Sequence, residues 1–315
     1  MPLRILGLLA RRALQALLVA VLVATLCFVL LRALPGDMAF RIAEHRYGYD
    51  LVNARAADAV RTELGLDRPL LVQLGAWLLP LFRGDLGRSV VSGKAVAAEV
   101  ARPLGATLLL ALAAMVPAVL VGPALGLLAG LRPGGAADRT GLLLAAVLRA
   151  VPSFVLGVAL MLLLAGALDW LPASHDGGPA GIVLPALTLA LGLTASSSRI
   201  ARDATVAAVN APHFAFARLK GLSPAQAVRR HVLRNAAVPV VAYLGLQFAL
   251  LVEGVLVVEL LFAWPGIGHA VVDAVLARDV PMVQGAVLML ALGFVALNAL
   301  TDLAVSALDP RGRGA

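Results

Sequence analysis

Six apolar runs constrain this chain more than any other feature. Each is near or above the roughly 20 residues that an α-helix needs to cross a bilayer. They are 13–31, 104–131, 141–171, 181–197, 236–263 and 283–308. A chain of 315 residues that is 61% apolar and only 14% charged carries more apolar surface than one aqueous core can hide. Lipid-facing helices solve that problem. The expected fold is therefore all-α and polytopic, with about six transmembrane helices. The runs 104–131 and 141–171 exceed a straight span, and Pro117, Pro123 and Pro152 predict kinks or tilt within them.

The first run is preceded by Arg4, Arg11 and Arg12. A signal peptide has an apolar stretch of about 7–15 residues followed by small residues. This run is longer, and Arg32-Ala33-Leu34-Pro35-Gly36-Asp37 is a poor cleavage site, so an uncleaved spanning helix is expected. Residues 34–103 differ in kind. They carry nine Lys/Arg and eight Asp/Glu and are solvated. Within them a short helix is expected over 56–64, ending at Gly65. The stretch 70–82 is apolar but short and contains Pro80. It is predicted to be an interfacial or packed helix rather than a span.

The net charge of +8 sits between the apolar runs, which argues for membrane loops and against a nucleic-acid partner. With the N-terminus inside, fourteen Lys/Arg fall on the inner side and only Arg278 in the short outer loops 172–180 and 264–282. That asymmetry predicts cytoplasmic termini and an external 34–103 segment. The expected divisions are 1–33, 34–103, 104–308 and the tail 309–315. The single cysteine, Cys27, excludes an internal disulfide, and the five histidines have no metal-ligand spacing.

The connection 199–235 is the longest expected cytoplasmic segment. Three helical pieces are predicted, over 201–209, 214–220 and 224–235. Gly221 suits a left-handed C-cap. Ser223-Pro224-Ala225-Gln226 supplies a capping box with proline at N1. Two short helices should meet at Lys220-Gly221-Leu222-Ser223, flanked by Arg218, Arg229, Arg230 and His231, with Phe214, Phe216, Leu219, Leu222, Val228 and Val232 as apolar contacts. Such a basic, rigid knob fits a groove on a partner. Its charges also suit topology or anionic lipid headgroups. A helix-turn-helix DNA reader would have no room to enter a groove between two spans.

The stretch Ala215-Phe216-Ala217-Arg218-Leu219-Lys220-Gly221-Leu222-Ser223, followed by 229–236, resembles the cytoplasmic loop of binding-protein-dependent ABC permeases, most of all the dipeptide, oligopeptide and nickel group. Leu34-Pro35-Gly36-Asp37, Leu64-Gly65-Leu66-Asp67-Arg68-Pro69-Leu70, Arg83-Gly84-Asp85-Leu86-Gly87, the run 259–268, Arg278-Asp279-Val280-Pro281, Gln284-Gly285, Asp302 and 308–311 agree in order. The resemblance implies a permease that pairs with a second, homologous permease, two cytoplasmic ATPase subunits and an external solute-binding protein. It implies a coupling helix at the loop, with Ala217, Arg218, Lys220, Gly221, Leu222, Ser223, Arg229, Arg230 and His231 as its residues. It implies a dipeptide, oligopeptide or nickel-chelate solute. The chain departs from the general loop pattern at Ala215, where an acidic residue is usual.

No motor is visible in the chain. The only lysines are Lys94 and Lys220. Gly87 to Lys94 has five residues between its glycines, and Ala95 stands where a magnesium-binding hydroxyl belongs. The chain is therefore expected not to be an enzyme and to hold no cofactor or metal, with ATP and magnesium used by partner subunits. Two rivals are an ion-coupled secondary transporter and a non-transporting scaffold. Ion coupling needs polar groups at membrane depth. The candidate pathway residues are Gln247, Glu253, Glu259 and Asn298. Glu253 is the deepest, midway along the fifth run. Arg149 and Asp302 lie nearer the ends of their runs.

Overall fold

The computed structural model describes residues 2–48, 52–81, 83–175 and 177–308, and their side chains except at 2–11, 31, 77, 253 and 254. Among these residues there is no β-strand, only an isolated bridge between Arg88 and Ala95. Five helices among the described residues are long and apolar enough to cross a membrane, and a bent pair makes a sixth if it counts as one span. The all-α polytopic expectation holds. The chain forms two compact units. One comprises residues 1–107 and 265–295; the other comprises 108–264 and 296–315. By this division the segment 34–103 groups with the first helix and with 265–295. The tail 309–315 lies outside the described residues.

In the first unit, α1 (Pro2–Ala33) carries the first apolar run. Leu14, Leu18, Leu22, Leu26 and Leu30 recur every fourth residue and are all exposed, a stripe that only lipid or another apolar face can cover. Asp37 then caps α2 (Met38–Tyr47), accepting from the Ala39 N–H at 2.9 Å. Asn53 caps α3 (Ala54–Glu63) in the same way. The two helices bury Ala39, Ile42, Ala43, Ala57 and Val60 against each other. Arg46 and Glu63 tie the pair at 2.6 Å. Gly65 follows α3 with φ +61, as the expected stop requires. The next helix, α4 (Leu70–Leu81), keeps Pro80 inside its last turn.

The second unit is built on α8 (Val183–Val209), a helix that with its leading 3₁₀ turn covers 31 residues. Helix α5 (Val96–Leu131) runs through Pro117 and Pro123 without a break and begins well before residue 104. Its Gly122, Gly126 and Gly130 face α8. A Cβ on Gly126 would stand 2.7 Å from the Ala201 Cβ, and one on Gly130 would stand 2.6 Å from the Thr205 Cβ. Only glycine permits that approach. Ser197 of α8 donates to the Ala118 carbonyl at 2.8 Å across the same seam.

The run 141–171 is where the structure differs most from a single kinked span. Helix α6 (Ala136–Ala150) and the helix Ser153–Ala167 meet at 101°. The first half of the latter is α7 (Ser153–Leu160) and the rest is π-helical. Pro152 has no N–H to continue the ladder, and it drives Val151 to extended backbone (φ −86°, ψ 124°). Asp138 in the first turn of α6 is 2% exposed. It takes two 2.9 Å hydrogen bonds from Arg202 of α8 and one of 2.8 Å from the Gly134 N–H. The fifth run likewise divides. After the long helix described below ends at Gly254, a turn at Val255 leads to a short helix over Leu256–Leu261.

Candidate functional site

The connection 199–235 holds one free-standing helix rather than three. Residues 201–209 are the last turns of α8. Residues 224–235 open a long helix made of α10 (Pro224–Ala227), a π-turn at Val228–Val232 and α11 (Leu233–Gly254). Periodicity cannot distinguish a short loop helix from the solvent-exposed end of a long one, because both carry polar residues. Between them stands α9 (Pro212–Leu219), which starts with proline at N1.

Both sides of the predicted turn carry the expected caps. Gly221 has φ +86. Its N–H donates to the Arg218 carbonyl at 3.0 Å, and the Leu222 N–H reaches back to the Ala217 carbonyl at 3.3 Å. This pair of bonds is a Schellman closure, which needs a left-handed residue at Gly221. Two residues on, the Ser223 hydroxyl accepts from the Gln226 N–H at 3.3 Å, and the Gln226 side chain accepts from the Ser223 N–H at 3.0 Å. The elbow therefore has few free dihedrals. Arg218 also donates to the Leu222 carbonyl at 2.5 Å, so this side chain spans the turn.

Burial sorts the elbow residues into two sets. Ala217, Ala227 and Val232 are buried and hold the elbow together. His231 belongs with them: it is half-buried, its ring lies 6.0 Å from that of His213, and its carbonyl accepts from Asn235 at 2.7 Å. Asn235 also meets the His213 ring at 3.2 Å. His231 is thus part of an internal brace, not of the outward basic set. Leu222 and Phe214 are half-buried. The outward face is Phe216, 58% exposed, and Leu219, 85% exposed. Lys220 lies over the Phe216 ring at 4.5 Å, and Arg218, Ser223, Arg229 and Arg230 are exposed. Two large apolar side chains rimmed by cations do not belong on a solvated linker.

The membrane-depth candidates separate. Glu259, in α12 (Leu256–Leu261), is fully buried. It has no open face within this chain, and its burial fits a packing role beside the turn that follows. There Ala263 takes φ +50, the Phe262 carbonyl accepts from the His175 N–H at 2.8 Å, and the His175 ring packs on Trp264 at 4.6 Å. Gln247 and Asn298 are half-buried. They flank the close contact of Gly245 with Thr301, each within a turn of it. The Glu253 side chain lies outside the described residues.

Sequence reading missed two arrangements. One is the Asp138–Arg202 clamp, whose partners are 64 residues apart and carry no local signal. The other centres on Asp279, which is 4% exposed and caps α13 (Val280–Leu308). It accepts from the Met282 N–H at 3.2 Å, the Val90 N–H at 3.3 Å and the Ser89 hydroxyl. Its neighbour Arg278, at φ +56, donates to the Leu34 and Pro35 carbonyls. Downstream, the buried Gln284 donates to the Ala24 carbonyl of α1 at 2.9 Å. The motifs around 34–37, 89–90 and 278–284 are therefore halves of shared contacts. Gly122, Gly126 and Gly130 of α5 likewise acquire their meaning only from α8 as a partner.

Residues 122–314 match the family described as binding-protein-dependent transport system inner membrane component, and residues 5–111 match the corresponding N-terminal family. The glutathione transport system permease protein GsiC of Salmonella choleraesuis (strain SC-B67) is 37% identical over 300 residues, covering 95% of this chain and 96% of that protein. A Brucella abortus (strain 2308) protein, provisionally named a peptide transport system permease protein, is 37% identical over 315 residues, covering 98% and 99%. In fold, the chain is similar to one from the methionine ABC transporter MetNI in its inward-facing conformations. The TM-score is 0.55 at 18% identity, covering 67% of this chain and 96% of that one.

Proposed function

This chain belongs to the family of inner-membrane components of binding-protein-dependent transport systems, and from that premise we propose that it forms half of the translocation path of an ATP-driven importer for a peptide-type solute. Two relatives, each 37% identical to it, are named for glutathione, itself a tripeptide, and for peptides. A nickel chelate is a second reading of the same family motifs, and the relatives favour the peptide. A second, homologous permease supplies the other half of the path. A solute-binding protein delivers the solute from the external side, and two ATPase subunits bind at the cytoplasmic side. ATP and magnesium are used in those subunits.

One observation carries the coupling role: the elbow at 212–227 presents Phe216 and Leu219 to the outside on a doubly capped turn between two long apolar helices. In this reading Phe216 and Leu219 are the anchors in a groove of the ATPase. Arg218, Lys220, Arg229 and Arg230 steer and orient the contact, while Ala217, Gly221, Leu222, Ser223 and His231 keep the elbow rigid. Rigidity matters because a floppy segment would absorb displacement instead of passing it to α8 and α11. ATP-driven closure of the ATPases pushes the elbow, the helices that lead from it move, and the path changes its open side. Gln247, Asn298 and Glu253 are the polar side chains assigned to that path.

The test is co-expression with the ATPase subunits. Leu219→Asp is expected to abolish co-purification of the ATPases and solute-stimulated hydrolysis while leaving membrane insertion unchanged. Retained coupling in that variant would sink the assignment. Uptake by the purified chain alone, driven by an ion gradient, would overturn the whole reading in favour of a secondary transporter.

A further inference from the structure

Helix α4 is a strongly apolar helix of the first unit that is too short to cross a membrane. Its 12 residues reach about 18 Å, against the roughly 30 Å of a hydrocarbon core. Yet Leu71 is 82% exposed and Leu79 67%, with Leu70 and Val72 also open. Leu71 and Leu79 share one face, eight positions apart. The opposite face, at Gln73, Ala76 and Pro80, lines a cavity of about 360 Å³. Helix α4 therefore has an apolar outside and a hollow beneath it.

Its level is fixed by hydrogen bonds. The Gln73 side-chain carbonyl accepts from Arg32, at the end of α1. The Gln73 amide donates to the Leu66 and Arg68 carbonyls at 3.1 and 2.6 Å. Arg32 is the first charged residue after the apolar run 13–31, so it stands where a spanning helix leaves the hydrocarbon, with its guanidinium 5.0 Å from the Phe28 ring centre. Gln73 thus pins the first turn of α4 to the membrane boundary.

The cavity beneath has the composition of a lipid site. Its wall includes Phe28, Ile42, Val72 and Leu81; its polar groups are Arg32, Arg68, Gln73, Asp85 and Arg88. Asp85 already accepts from the Gly87 N–H, and Arg88 already donates to the Gly93 carbonyl. The exposed Arg68, and the half-buried Arg32 through the N–H groups it does not give to Gln73, can face a phosphate. We propose that α4 is an interfacial anchor in the leaflet at the C-terminal end of α1, and that the cavity beneath it holds a phospholipid, its phosphate at Arg32 and Arg68 and an acyl chain along Phe28, Val72 and Ala76. The assignment requires that α1 spans the membrane. It is independent of which side α1 ends on and of the solute.

Two measurements on the full chain, purified with its co-expressed partners, test it. In a Cys27→Ser background, a spin label at Leu71→Cys in lipid nanodiscs should be relaxed by oxygen and shielded from a water-soluble nickel chelate, like a label at Leu18→Cys and unlike one at Arg55→Cys. Access by the chelate would overturn the anchor; shielding from both reagents would mean that protein covers α4, which overturns it as well. Native mass spectrometry with added phosphatidylglycerol should show retained lipid falling roughly tenfold in Arg68→Gln and further in Arg32→Gln/Arg68→Gln, as loss of charge-assisted contacts requires. The single variant leaves the Arg32–Gln73 clasp intact, so α4 stays in place. Lipid retention unchanged in both variants would overturn the cavity assignment.

Discussion

Gly221 is held by conformation rather than by space. A Cβ built there meets nothing within 4 Å, yet φ is +86, a region that costs an L-residue roughly 1–2 kcal/mol. Gly221→Ala should therefore lower stability modestly by thermal unfolding, while Gly221→Val, with its branched Cβ, should also loosen the elbow and uncouple ATP hydrolysis from transport. Asp279 is a different case. Its carboxylate accepts three hydrogen bonds from two segments while almost fully buried. Asp279→Ala strands those donors, at about 1–3 kcal/mol for a buried unsatisfied group. The expected outcome is a lower melting temperature with the 83–95 loop newly open to proteolysis. An unchanged melting temperature and cleavage pattern would show that the cap is dispensable.

At the scale of elements, the α5–α8 seam makes a prediction of opposite signs. Gly126→Ala places a methyl 2.7 Å from the Ala201 Cβ and 2.8 Å from the Arg202 backbone nitrogen, closer than two helices tolerate, so it should destabilise by about 1–3 kcal/mol. Gly192→Ala, on α8, meets nothing within 4 Å and should stabilise by roughly 0.5–1 kcal/mol, the helix-propensity gain. Thermal unfolding in one detergent compares the two directly. The elements themselves were mostly legible in the sequence, because lipid selects for unbroken apolar length and caps are local. The elbow caps, Gly65 and the short α4 follow from residues within a turn of each other. Three features were not local. The 101° break at Pro152 has the same sequence signal as Pro117 and Pro123, which α5 absorbs. The last turns of α8 carry the polarity of a loop. His231 sits among basic residues, and only the position of His213 turns it inward. Pairings such as Asp138 with Arg202 depend on which helices become neighbours, which one strand of sequence does not encode locally.

At the scale of the molecule, coupling and topology are one question, because an elbow can meet a cytoplasmic ATPase only if it lies on the cytoplasmic side. The charge pattern gives a direction. Fourteen Lys/Arg lie on the side of the elbow and one in the short loops opposite, and such a bias sets orientation during insertion. The long 34–103 segment carries nine Lys/Arg but also spans a length that crosses regardless of charge. Two single-cysteine variants in a Cys27→Ser background separate the sides: Lys220→Cys at the elbow and Arg55→Cys on α3, both exposed. In intact cells an impermeant maleimide should label position 55 and leave position 220 unlabelled until the membrane is opened. The reverse pattern would put Phe216 and Leu219 where no ATP-driven subunit works. The apolar face of the elbow would then need a different partner, although the spans, the caps and the family membership would all stand.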